Sequence, residues 1–184
     1  MKFSKVIKRL PLLLMALVFF LISTPVLAID VILKVVSGEL VIDANGQQCQ
    51  PARKNCINVN KGNSPFIYFK LPNACGGNDD DPKYKLKEMQ LSMVGNTGTN
   101  AHPSKGFGQW ELPQPVADDF NANKATGLVK FTGSNSLADD QIKVKDKNSA
   151  EYVVFYKIKA LACEEGTIPT EIWLDPRIVN GGRN

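Results

Sequence analysis

Tyr152-Val153-Val154-Phe155-Tyr156-Lys157-Ile158-Lys159-Ala160-Leu161-Ala162 decides how this chain is read. Lys157 and Lys159 share one face of the stretch, and Tyr156, Ile158 and Ala160 share the other. That period of two is the half-buried alternation of an antiparallel strand. Towards the C-terminus, Thr170 to Leu174 repeats the strand signal, and Arg177-Ile178-Val179 continues it after a break at Pro176.

Towards the N-terminus the pattern is again strand after strand. Ile142 to Lys145 and Leu128 to Phe131 are short alternating stretches with lysines on one face. Lys87 to Met93 alternates so that Met89, Leu91 and Met93 face inward. Phe66 to Leu71 is fenced by Pro65 and Pro72. Asp30 to Val36 is β-branched and apolar, Ser37-Gly38 ends it, and Glu39 to Asp43 follows. Asn45-Gly46 then supplies a type I′ hairpin signal. Helical signal is confined to Pro115 to Lys124, with Pro115 early, Asp118 and Asp119 read as helix-start acids, and Gly127 just beyond. Short strands separated by Gly, Pro, Asn and Asp predict an all-β protein: an antiparallel β-sandwich of immunoglobulin-like, two-sheet architecture with at most one short helix. An outer-membrane barrel would need more regular alternating segments with lipid-facing apolar bands.

Ahead of these strands, Lys2, Lys5, Lys8 and Arg9 precede an apolar run from Leu10 to Ile22 and a small-residue exit at Thr24-Pro25-Val26-Leu27-Ala28. That order predicts a cleaved signal peptide over residues 1–28 and a single sandwich domain over 29–184. Retention of the leader as a membrane anchor is the alternative, although Pro11, Ser23, Thr24 and Pro25 shorten its apolar core. The chain has 22 Lys+Arg against 18 Asp+Glu, a net of +4 and a pI near 8.8. The leader's four basic residues, with no acid beside them, account for that whole excess. A nucleic-acid reading would rest on residues that are removed, and it is set aside. The expected location is periplasmic or secreted, with no stable membrane span after cleavage.

An oxidising location favours two disulfides among Cys49, Cys56, Cys75 and Cys163. Cys49–Cys56 would close a short polar loop. Cys75–Cys163 would join the ends of two apolar segments and constrain the unfolded chain by about 4 kcal/mol. The irregular spacings, with His102 distant from all four, speak against zinc.

The segment Val94 to Gly108 has no periodicity and leads into Phe107-Gly108-Gln109-Trp110-Glu111. Trp110, Gln109 and His102 are the candidate ligand-binding residues, since an aromatic ring beside amide groups suits a sugar or a protein partner. Asp79, Asp80 and Asp81 form a weak calcium candidate, because Ca²⁺ takes six to eight oxygens and consecutive Asp side chains splay apart. His102 lacks a nucleophile elbow, so a Ser-His-Asp hydrolase has little support. Carboxylates such as Glu111, Glu171 and Asp175 are available for glycoside hydrolysis, but no spacing pairs them. Tyr68, Tyr152 and Tyr156 are assigned to strands, Trp173 to core or sheet face, and Asp139-Asp140 to a turn. The ending Leu174 to Asn180 resembles the final strand of some small bacterial β-sandwich proteins, a likeness that carries no chemistry.

The expectation is an exported, non-enzymatic binding protein of the bacterial cell envelope or extracellular space. Its partner would be a protein or a glycan, and no cofactor is implied. Two other outcomes are a small secreted hydrolase using carboxylates or His102, and a subunit of a surface assembly whose first mature strand pairs with a neighbour.

Overall fold

A computed structural model describes residues 28–43, 56–60, 62–72, 74–75, 83–93, 111–164, 166, 170–174 and 177–181, with backbone alone for Cys56 and 177–181. The elements are β1 (Ala28–Val36), β2 (Glu39–Ile42), β3 (Cys56–Val59), β4 (Phe66–Lys70), β5 (Tyr84–Ser92), α1 (Gln114–Phe120), β6 (Ser136–Leu137), β7 (Gln141–Lys145), β8 (Glu151–Ala162), β9 (Glu171–Leu174) and β10 (Arg177–Gly181). The leader, Asn45-Gly46 and Cys49 lie outside the described residues.

Two sheets form the all-β architecture expected from the alternation. Sheet I runs β2-β1-β4-β7-β6, and sheet II runs β3-β10-β8-β5 with β9 also on β8. Pairing is antiparallel except at β1–β4 and β3–β10, which are parallel. The expectation of antiparallel sheets therefore needs these two exceptions. Parallel neighbours are joined by distant parts of the chain, which no local turn signal announces.

The inner faces follow the sequence. Val154, Tyr156, Ile158 and Ala160 of β8 are buried, as are Ile67 and Phe69 of β4 and Ile142 and Val144 of β7. Phe69 of sheet I meets Tyr156 of sheet II with ring centroids 5.2 Å apart and tilted, so the layers interlock at an aromatic pair. Burial raises the pKa of the Tyr84 phenol, which lies in the same core.

Ser37 and Gly38 both have positive φ, at 52° and 77°, and join β1 to β2 in the two-residue geometry of a type I′ hairpin. In β5 the inward positions change parity. Tyr84 and Leu86 are buried before Lys87, and Met89 and Leu91 after it, because the register against β8 shifts between Leu86 and Glu88. That bulge places the extra residue at Lys87. It explains why alternation counted from Lys87 stops short of the strand's true start. Between them, β9 and β10 keep one register on β8: Leu174 opposes Ile158 and Arg177 opposes Phe155. The strand does resume beyond Pro176.

Other expectations shift locally. Leu128 to Phe131 makes isolated bridges rather than a strand, with Leu128 opposite Gln90 and Val129 opposite Ala122. Its backbone bonds Leu91 N–H to Gly127 O (2.9 Å) and Val129 N–H to Met89 O (2.9 Å) cap the free edge of β5. The helix ends at Phe120 rather than Lys124, because Asn121 adopts the left-handed conformation at φ 53°. Asp118 and Asp119 therefore belong to its last turn, not its start. Cys75 and Cys163 are bonded, with Cα atoms 5.6 Å apart, and tie the segment after β4 to the end of β8.

Candidate functional site

The residues singled out from sequence lie outside the described residues: His102, Gln109, Trp110, Asp79, Asp80, Asp81 and Asp175. The two remaining carboxylate candidates are each engaged in a surface ion pair. Glu111 meets Lys124 at 3.2 Å, and Glu171 meets Lys159 at 2.6 Å. Among the described residues no group of His, Cys, Asp and Glu could hold a metal ion.

A different constellation stands on the outward face of sheet I. Antiparallel pairing sets Phe66 opposite Lys145 and Tyr68 opposite Lys143. All four are half-buried and point away from the core, since their neighbours Ile67, Phe69, Ile142 and Val144 point into it. Lys143 Nζ lies 4.3 Å from the Phe66 ring centroid and 5.9 Å from that of Tyr68, while Lys145 Nζ lies 4.4 Å from Phe66. Such contacts are worth about 0.5–1 kcal/mol each when exposed. They hold two ammonium groups no more than about 9 Å apart, within one Debye length of each other. Lys70, at the far end of the ladder, is neutralised by Asp30 at 2.8 Å.

Lys145 also belongs to a cavity of about 330 Å³, lined by Asp119, Asn121, Thr132, Gly133, Ser134, Asn135, Lys145 and Lys147. Apart from Gly133, the lining side chains carry polar groups: one carboxylate, two amides, two hydroxyls and two ammonium groups. Its size falls at the lower end of the ~300–1,000 Å³ span of small-molecule sites. Asp119 Oδ2 accepts from the Tyr152 hydroxyl (2.7 Å) and the Ser149 N–H (2.8 Å). Oδ1 of the same side chain is buried and receives no donor among the described residues. A carboxylate at a helix C-terminus meets the unfavourable end of the helix dipole, and the two donors offset that.

Amide side chains, two of them buried, hold the region around the cavity in place. Asn135 donates from Nδ2 to Phe120 O (2.8 Å) and Lys130 O (3.2 Å), and its Oδ1 accepts from Lys145 N–H (2.8 Å). Asn121 donates to Thr132 O (3.3 Å) and Thr132 Oγ1 (3.2 Å). Asn148, fully buried at φ 48°, donates to Asn60 O and Asn63 O at 3.0 and 2.9 Å. Lys145 Nζ donates to Ser64 O. The start of β4, the end of β7 and the end of α1 are thus tied together around one opening.

The outward face of sheet II carries a second aromatic, Trp173, which is the sheet-face placement. Lys157 Nζ lies 4.4 Å and Lys159 Nζ 5.0 Å from its ring. Here Lys159 is paired with Glu171. A hydrogen bond from Lys159 holds the Glu171 carboxyl below the usual carboxylate range, with smaller help from Trp173 and Lys157. No cavity among those described adjoins this face.

Sequence reasoning placed Tyr68 in a strand and the lysines of β7 on one face. It missed that these two faces are one face. The signal available was two alternating pairs, Phe66/Tyr68 and Lys143/Lys145, whose adjacency depends on strand pairing. Of the cavity residues, Asp119 and Asn121 fall in the expected helix and Lys145 in an expected strand, and nothing in the sequence singles out Thr132 to Asn135.

No protein-family model matches the chain, and no curated protein matches it. Among solved structures, the chain is similar to the McoA multicopper oxidase from the hyperthermophile Aquifex aeolicus, with a TM-score of 0.33 and 8% identity over 85% of this chain. It spans 30% of that oxidase's length, and a likeness of this degree carries no argument about activity. The two sheets and their register establish an all-β, two-sheet protein with a Cys75–Cys163 bond.

Proposed function

We propose that this is an exported, non-enzymatic β-sandwich that binds a glycan through the outward face of sheet I and its adjoining cavity. The observation that carries the reading is that Lys145 belongs to both. The aromatic ladder and the polar cavity therefore adjoin at that residue. Hydroxyls, amides and ammonium groups are the groups that exchange hydrogen bonds with sugar hydroxyls. Rigid outward rings supply the apolar contact that such a polar ligand also needs. The Cys75–Cys163 bond and the leader support an oxidising location outside the cytoplasm. No helix among the described residues is long and apolar enough to cross a membrane.

The test is a glycan array probed with the protein and with Tyr68→Ala. Tyr68 points outward, so its truncation should abolish capture while the melting temperature stays within a few degrees. A protein that captures no glycan, or a variant that captures as well as the parent, overturns the proposal. Release of reducing ends from a captured glycan would instead establish a hydrolase.

A further inference from the structure

We propose that the Cys75–Cys163 bond is a reducible site, opened and closed by an exported dithiol protein, and not a staple on which the fold depends. The proposal is independent of the glycan reading. Cys75 is exposed, and Cys163, just past the end of β8, is half-buried. Thiol–disulfide exchange follows access to the sulfur under attack, and exposed bonds are the labile ones. Cys75 also holds φ at 34°, in the left-handed region that a side chain disfavours. Such a conformation persists only where its surroundings impose it, and breaking the bond to Cys163 lets Cys75 relax.

What the bond fastens is narrow. The chain between β4 and β5 is tied at its start by Leu71 N–H to Asp140 O (2.8 Å) and at its end by Cys163 N–H to Lys83 O (2.9 Å). The end of β8 is held as well by Ala162 N–H to Thr170 O (2.9 Å) and by the pairing of Ala162 with Tyr84. None of these contacts runs through sulfur. Opening the bond therefore frees Cys75 from β8 and leaves both sheets paired. It also removes a constraint across 88 residues of the unfolded chain, so stability falls while the native architecture persists.

The exchange balances in two steps. A thiolate of the dithiol protein attacks Cys75 Sγ, and the electron pair of the broken S–S bond leaves with Cys163 Sγ, which takes a proton from water. The donor's second thiolate then attacks the donor sulfur of the mixed disulfide and releases Cys75 as a thiolate. Two electrons enter the protein, the donor ends as a disulfide, and the reverse sequence restores the bond.

The experiment uses oxidised protein recovered from an exporting host. It is incubated in native buffer with reduced thioredoxin, and separately with a thioredoxin lacking its resolving cysteine. Cys75 and Cys163 are followed by alkylation and peptide mass mapping. The expected result is loss of the bond in native buffer, an unchanged far-UV spectrum, a lower melting temperature and a trapped mixed disulfide on Cys75. Amide exchange at Ala74, whose N–H reaches Leu71 O at 3.4 Å, should lose protection, while Leu71, Leu86 and Leu91 keep theirs. The double variant Cys75→Ser/Cys163→Ser isolates this bond from the other two cysteines and should keep the parent spectrum while melting lower. A bond that opens only in denaturant, a mixed disulfide trapped on Cys163, or loss of the sheet spectrum on reduction or in the double variant would each overturn the proposal.

Discussion

Asn135 offers the most exacting test of the cavity wall. Its side chain makes three hydrogen bonds, two donated to Phe120 O and Lys130 O and one accepted from Lys145 N–H. Two carbonyls on one side and an N–H on the other fix the amide orientation. Replacement by Ala removes all three. At ~1 kcal/mol net each, with water reaching the part-buried pair, the loss should be about 2–3 kcal/mol. Asn135→Asp is nearly the same shape and keeps the acceptor for Lys145, so by size it should be milder. It should be worse at neutral pH, because an oxygen would replace the donor facing two carbonyl oxygens. Those oxygens disfavour the ionised form, so the folded-state pKa of the new carboxyl rises above its unfolded value. The penalty should be full at pH 7 and shrink as pH falls through that raised pKa. Urea unfolding of parent, Ala and Asp variants at pH 7 and 5 reads this directly. An Asp variant that is milder than Ala at pH 7, or equally penalised at both pH values, would refute the hydrogen-bond assignment.

Two further outcomes follow from the sheets. Gly127 sits at φ 73°, and a Cβ there would fall on the Leu91 carbonyl that borders the capped edge of β5. Gly127→Ala should cost about 3 kcal/mol, from the left-handed conformation and the disturbed edge bonds, and calorimetry should show a melting temperature lower by roughly 10 °C. Glu171 should titrate below the usual carboxylate range by carboxyl NMR, and Lys159→Met should return it there. Because its folded pKa is depressed, its small contribution to stability is present above the unfolded pKa and lost as pH falls through the folded one. Salt should weaken it.

The strands that alternate without interruption were legible in the sequence. The stretch from Tyr152 to Ala162 announces both its state and its buried face, and Phe66 to Lys70 and Gln141 to Lys145 do the same. What failed was local in two cases and distant in the others. At Lys87 one inserted residue reverses the inward parity, so a rule of period two loses the first half of β5. Asn121 stops the helix by its own backbone conformation, ahead of the glycine that looked like the natural end. The short β3 is stable only against β10, more than a hundred residues away. The candidate site suffers most from this. Phe66 and Tyr68 are unremarkable strand aromatics until the register sets β7 beside them, and the cavity needs the end of α1, residues 132–135 and the end of β7 to converge.

One feature of sheet II governs when this protein can become itself. The strand nearest the C-terminus, β10, is internal to the sheet, held between β3 and β8. In a nascent polypeptide lacking residues 177–181, sheet II has a gap through its middle rather than a missing rim. It leaves β3 with no partner along that side. Docking such a late element across a long sequence separation is slow. The middle of sheet II is therefore completed only after residues 177–181 have been made, whatever order the other strands take.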